Sequence, residues 1–181
     1  LNYDAGQVID LILENFVPTK DYSKWNSRIN EIKSKFSKQY SITLEEPIQK
    51  GFIHSIDAIN VISNEAPKNA TIVTDVGAGL LSGHYAFSIK EGQKFSTSQG
   101  LGEMGFGLPA SIGAYFGDNQ RKIICLNTDG GIMFNLQDLQ IVNEHKVPLK
   151  LFVFSNEGYA MIKISQDNLF EGKFVGSTPN S

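Results

Sequence analysis

The chain has a single cysteine, Cys125, which excludes an internal disulfide framework and a cysteine-rich zinc site. Its three histidines, His54, His84 and His145, stand far apart, and no HExxH or HxxxH pair occurs. No apolar run approaches the roughly 18 residues that a membrane-spanning helix needs. Positive charge is in deficit: 16 Lys and Arg face 19 Asp and Glu, a formal net charge of −3, which argues against binding nucleic acid through bulk charge. Residues 1–11 are acidic and lack the basic stretch of a signal peptide, and no start methionine is present. Repeats and low-complexity segments are absent too. These absences lead us to expect a soluble, cytoplasmic chain cut from something longer. What is present suffices for a core: 41% of the 181 residues are hydrophobic and 19% charged, so the chain is no disordered tail.

The first fifty residues have a different rhythm from the rest. Residues 4–16 place Val8, Ile9, Ile12, Leu13 and Phe16 on one helical stripe, stopped by Pro18. Residues 21–40 place Trp25, Ile29, Ile32, Phe36 and Tyr40 at steps of three or four, with Asp21 or Ser23 as N-cap. Trp25 is expected in the core of these helices, and Lys33, Lys35 and Lys38 on a solvated face. From Gly51 a helix carrying Phe52, Ile56, Ile59 and Ile62 runs toward Pro67, followed by a strand at 71–74. A helix to Ala86, a short strand at 94–96, a glycine-rich loop at 99–107 and a small-residue helix at 109–116 follow. Buried strands are expected at 121–127 and 149–154, with helices at 136–144 and from Tyr159 onward. Strands alternating with helices predict βαβ units and a mainly parallel, three-layer α/β/α architecture. Ligands in that class bind beyond the C-terminal ends of the strands.

Three strand ends therefore attract notice: Asp75-Val-Gly77-Ala-Gly79, Asn127-Thr-Asp129-Gly-Gly131 and Ser155-Asn156-Glu-Gly158. In a parallel sheet all three emerge on one edge. Asp129 offers a carboxylate and Asn156 an amide oxygen, hard donors suited to Mg²⁺ or Ca²⁺. Gly130 and Gly131 leave backbone N–H groups open to a phosphate. Asp-Gly and Asn-Glu-Gly are also common turn sequences, so spacing alone leaves the metal reading open. Leu101 and Met104 are unusual in a glycine loop and hint at a flat ring held against a side chain. Cys125, within a strand, reads as a small core residue, and the histidines as surface or packing residues.

Together these residues resemble the C-terminal diphosphate-binding domain of thiamine-diphosphate-dependent enzymes, on the acetolactate synthase side. Thr128-Asp129-Gly130, then 24 residues, then Ser155-Asn156 is similar to that family's Gly-Asp-Gly…Asn-Asn signature. Gly100-Leu-Gly-Glu-Met-Gly-Phe-Gly-Leu-Pro-Ala110 matches a second family segment at every defined position, and Thr74-Asp-Val-Gly77 a third. The resemblance covers about residues 51–180. It implies Mg²⁺ held by Asp129, the Asn156 side chain and the Gly158 carbonyl, with Gly130 and Gly131 donating to the diphosphate. It implies that the Gly102 carbonyl accepts from the cofactor's amino group and that Met104 props its two rings into a V. Gly77, Ala78 and Gly79, and the helix start at Tyr159, Ala160 and Met161, would lie beside the diphosphate. The chemistry implied is decarboxylation and joining of 2-oxo acids, the cofactor acting as electron sink.

The chain departs from the family at Thr128, Ser155, Glu103 and Ala78-Gly79, the last standing where acetolactate synthases carry Gln-His. No catalytic residue of this chain is implied, because the activating glutamate lies on a separate pyrimidine-binding domain, normally of a second subunit. Residues 1–50 are expected to be the tail of a middle domain and linker helices, and 51–181 a thiamine diphosphate domain truncated at its C-terminus. The piece alone is expected to be inactive, and the whole enzyme a homo-dimer or tetramer. FAD occurs in some synthases on the middle domain, and nothing in these residues supports it. Two other readings stand beside this one: a non-synthase 2-oxo acid decarboxylase or lyase of the pyruvate decarboxylase-like group, with sugar or polysaccharide precursor synthesis as one setting for it, and a Mg-nucleotide domain of Rossmann type. A non-catalytic subunit that keeps the fold is a further alternative, disfavoured by the presence of Asp129 and Asn156.

Overall fold

A computed structural model describes residues 4–15, 21–43, 51–77 and 83–179, with the side chains of 36–43 outside the description. Two compact units divide the chain, Leu1–Pro47 and Ile48–Ser181. The first contains helices α1 (Ala5–Asn15) and α2 (Ser23–Thr43). The Asp21 carboxylate starts α2 by accepting from the backbone N–H and the hydroxyl of Ser23, both at 2.9 Å. Arg28, Glu31 and Lys35 form exposed pairs of 2.7 and 2.6 Å at the three- and four-residue spacing of a helix face. Trp25 is 65% exposed, contrary to the core position expected of it, and α1 buries no residue. A pair of helices by itself provides no further layer to cover such stripes. Phe16, Phe36 and Tyr40 of the expected stripes fall outside the described side chains.

The second unit is built on four strands, β1 (Ala70–Thr74), β2 (Lys94–Thr97), β3 (Lys122–Thr128) and β4 (Leu149–Phe154). All pair in parallel, in the order β2-β1-β3-β4. Central β1 and β3 are apolar runs buried on both faces, as a sheet covered on two sides requires. Strand β4 differs from its expectation as a buried strand. It lies at an edge among the described residues, so Lys150 and Val153 are exposed and the others half-buried.

Helix α3 (Ser55–Glu65) starts where His54 Nδ1 accepts from the Ile56 N–H at 3.3 Å. That cap leaves Phe52, expected inside the helix, exposed before it. Ile56, Ile59 and Ile62 then pack on Ala70, Ile72, Ile124 and Leu126, with Phe87 beside them. The opposite face carries α4 (Gly107–Gly117), where Ser111 lies against Cys125, and Gly107 against Asp75 and Asn127. Helices on both faces make the three layers α/β/α.

Two segments differ locally from their expectation. The stretch after β3, expected as a loop, is one helical turn, α5 (Asp129–Ile132), because the Thr128 hydroxyl accepts from the Gly131 N–H at 3.3 Å. The helix expected at 136–144 opens as a 3₁₀ turn, Leu136–Asp138, before α6 (Leu139–Glu144). Helix α7 (Ala160–Phe170) closes the described fold.

The chain leaves β1 for β2 on one side and then returns past β1 to β3 on the other. The connections therefore diverge between β1 and β3, and a crevice opens at the C-terminal ends of those strands.

Candidate functional site

A pocket of about 170 Å³ occupies that edge. Strand β1 delivers Gly77, the loop before α4 delivers Gly102 and Met104, and β3 delivers Asp129 and Gly130. Strand β4 delivers Asn156 and Gly158, and the start of α7 delivers Tyr159, Ala160 and Met161. Of the residues singled out in the sequence, these ten share one pocket. Ala78 and Gly79 fall outside the described residues. The volume is below the about 300–1,000 Å³ of a complete small-molecule site.

Asp129 ties two strand ends together. Its Oδ1 accepts from the Gly130 N–H at 2.8 Å, and its Oδ2 from the Asn156 N–H at 3.0 Å and the Ser155 hydroxyl at 3.3 Å. The same loop leaves Asn156 Oδ1 buried with no hydrogen-bond partner. An unpaired buried oxygen costs about 1–3 kcal/mol, so its retention calls for an explanation. A cation beside the Asp129 carboxylate is one. Both donors are oxygen, and the described residues hold no cluster of three His, Cys, Asp or Glu side chains. The set therefore suits a hard ion such as Mg²⁺, which takes few protein ligands and keeps the rest of its shell for phosphate and water. Gly158, the third residue proposed for the metal, sits at φ +144°, and a Cβ there would lie 2.4 Å from the Ser177 carbonyl. That carbonyl accepts from the Tyr159 N–H at 3.1 Å, fixing the entry to α7.

The cradle is shaped by missing side chains. A Cβ on Gly130 would come within 2.6 Å of the Tyr159 ring and 3.1 Å of the Met104 methyl. Gly130, Tyr159 and Met104 thus form one wall. Gly131, expected beside Gly130, does not line the pocket. It faces inward, buried against Asp75 and Asn127, and its N–H is engaged by Thr128.

Asp75 is the residue that sequence reasoning missed, although Thr74-Asp-Val-Gly77 was noted as a motif. Its side chain is fully buried. Oδ1 accepts from the Val76 N–H at 2.7 Å, and both oxygens accept from the Gly105 N–H at 3.2 Å. Burial pushes its carboxyl above the ordinary value, while the N–H groups of Val76, Gly107, Gly105 and Phe106 pull the other way. The available signal was an acid directly after a buried strand, facing a glycine-rich segment. Glu103, also unexplained by sequence, pairs with the Ser98 hydroxyl, which holds its carboxyl below the usual range. The Gly102 N–H donates to the Ser98 carbonyl at 2.7 Å, so the loop closes on itself at that point.

The remaining polar residues serve packing. His84 meets the Phe95 ring edge-on at 5.3 Å, and His145 meets Phe116 at 5.1 Å. Cys125 is buried, its thiol pushed up to about 11 by that burial.

Comparison with known proteins follows the same residues. The sequence model of the thiamine pyrophosphate enzyme C-terminal TPP-binding domain matches residues 75–181. The chain is 27% identical over 175 residues to the acetolactate synthase isozyme 1 large subunit of Escherichia coli, covering 94% of this chain and 30% of that protein. It is 34% identical over 174 residues to the probable acetolactate synthase large subunit of Methanocaldococcus jannaschii, covering 94% and 29%. It is 34% identical over 158 residues to the Methanococcus aeolicus counterpart, covering 85% and 25%. The chain thus spans 25–30% of the length of these relatives. A parallel sheet with its pocket beyond the strand ends, the glycine-lined wall and the family match agree, and the chain belongs to the thiamine pyrophosphate enzyme C-terminal TPP-binding domain family.

Proposed function

We propose that this chain supplies the metal- and diphosphate-binding half of the active site of an enzyme that decarboxylates and joins 2-oxo acids in the manner of an acetolactate synthase. The observation that carries the reading is the buried, unpartnered Oδ1 of Asn156, the residue whose backbone N–H donates to the Asp129 carboxylate. Asp129, Asn156 and the Gly158 carbonyl would hold Mg²⁺. Gly130 and the positive end of α7 would face the diphosphate; that end has no side-chain cap to compete for its N–H groups. Gly131 contributes by its lack of a side chain, since its N–H is held by Thr128. Gly102 and Met104 would receive the rings. When bound, thiamine diphosphate supplies the electron sink that a departing CO₂ requires. This chain's residues would orient it and hold the cation that offsets its charge.

The activating carboxylate and the rest of the pocket would come from a pyrimidine-binding domain of a second subunit in a homo-dimer or tetramer. The pocket's small volume supports this, as do Met161 and Ile162, which stand exposed on its rim. The chain alone is expected to bind cofactor weakly and turn nothing over. A cytoplasmic location belongs to the same proposal; among the described residues no helix is long and apolar enough to cross a membrane.

Titration calorimetry with thiamine diphosphate and with ATP, each with and without Mg²⁺, tests the reading. We expect Mg²⁺-dependent heat for thiamine diphosphate and little for ATP. Preference for ATP would overturn it in favour of a nucleotide domain.

A further inference from the structure

We propose that Asp75 is a positioning residue: from the end of β1 its carboxylate holds the Gly102–Gly107 loop and the α5 turn in register, so that Met104 and Gly130 meet in one wall of the pocket. The inference rests on the function proposed above. Three elements converge on this side chain. Gly105 donates its N–H to both carboxylate oxygens at 3.2 Å, and at φ +86° its backbone is one that glycine adopts most readily. Gly107, the first residue of α4, passes so close that a Cβ would lie 3.0 Å from the Asp75 Cβ. Gly131 of α5 passes closer still, with its Cβ position 2.5 Å from Asp75 Oδ2.

Helix α4 needs this contact. Its N-cap, Phe106, offers no side-chain acceptor, so the first N–H groups of the helix lack a local cap. Asp75 provides the acceptor from another element, and the partial positive charge of the helix start offsets a carboxylate that has no cationic partner among the described residues. The one carboxylate abuts both segments that build this wall. The loop carries Gly102 and Met104, and the turn carries Asp129 and Gly130. Asp75 itself does not line the pocket, and so acts through its neighbours.

The test compares Asp75→Asn with the wild-type chain. Hydrogen exchange without ligand should rise at 99–107 in the variant, while strands β1 and β3 keep their protection. Affinity for thiamine diphosphate at saturating Mg²⁺ should fall about 10–100-fold, the range for losing a residue that orients ligand-binding groups. Unchanged exchange at 99–107 together with unchanged affinity would overturn the proposal. So would loss of protection spread evenly over the sheet, which marks a merely structural residue. If the wild-type chain fails to bind thiamine diphosphate, the proposed function falls, yet the exchange comparison still decides on Asp75. If Asp75→Asn does not fold, the wild type decides: its Gly105 amide must be as protected as strand β1, and free exchange there refutes the contact.

Discussion

Replacing glycine by alanine at two positions of the second unit should move stability in opposite directions. At Gly131 the new Cβ would lie 2.5 Å from Asp75 Oδ2 and 3.0 Å from Asn127 Oδ1, where ordinary contact begins at 3.4 Å. Neither oxygen is free to retreat. Asp75 is held by the Val76 and Gly105 N–H groups at 2.7 and 3.2 Å, and Asn127 Oδ1 accepts from the Thr128 N–H at 2.8 Å. Both side chains are fully buried, so the backbone must move, and such overpacking costs about 1–3 kcal/mol. Gly113 lies on the exposed face of α4 with nothing within 4 Å of its Cβ position. Alanine there should stabilise the chain by about 0.5–1 kcal/mol through helix propensity and a less flexible unfolded state. At about 3–4 °C per kcal/mol for a domain of this size, the two melting temperatures should separate by about 5–15 °C. Thermal melts followed by circular dichroism, backed by urea midpoints at unchanged m, measure the difference. A Gly131→Ala protein within about 0.5 kcal/mol of wild type, or two variants shifting the same way, would refute the packing argument.

Other expectations follow from single groups. Asn156→Ala removes a buried oxygen that has no partner, so unfolding in EDTA should change by less than about 1 kcal/mol while Mg²⁺-dependent binding of thiamine diphosphate is lost; calorimetry and urea titration on the same protein separate the two effects. Cys125 should react with a thiol reagent at pH 8 only as fast as the chain unfolds, and reaction at the rate of a free cysteine would contradict its burial. Because burial raises this thiol from 9.0 to about 11, the folded chain keeps the proton that the unfolded chain releases. The resulting stability is whole below pH 9 and is lost as pH rises through 11, a slope that Cys125→Ala should lack in urea midpoints.

Much of the scaffold was legible because strands of a covered parallel sheet need apolar runs, and 71–74 and 121–127 hold such runs; 149–154 has the strand pattern but not the burial. Parallel strands direct their following loops to one edge, which is why Asp129, Asn156, Gly158 and Gly77 can be grouped from sequence pattern alone. Long-range geometry was not legible. Thr128 reads as an ordinary strand residue until its hydroxyl is seen to accept from Gly131 and turn a loop into a helix. Gly130 and Gly131 are identical neighbours in sequence, yet one walls the pocket and the other packs on Asp75.

Local pattern and side-chain chemistry were enough for the layered α/β class, the strands, and which residues could act as hard oxygen donors. Only the packed fold shows which donors lack a partner, which glycines admit no Cβ, and that Trp25 stays exposed while Asp75 is buried at the meeting of three elements. Periodicity specifies that a residue has a preferred face. What that face meets depends on elements thirty or more residues away, as when Asp75 receives the N–H of Gly105.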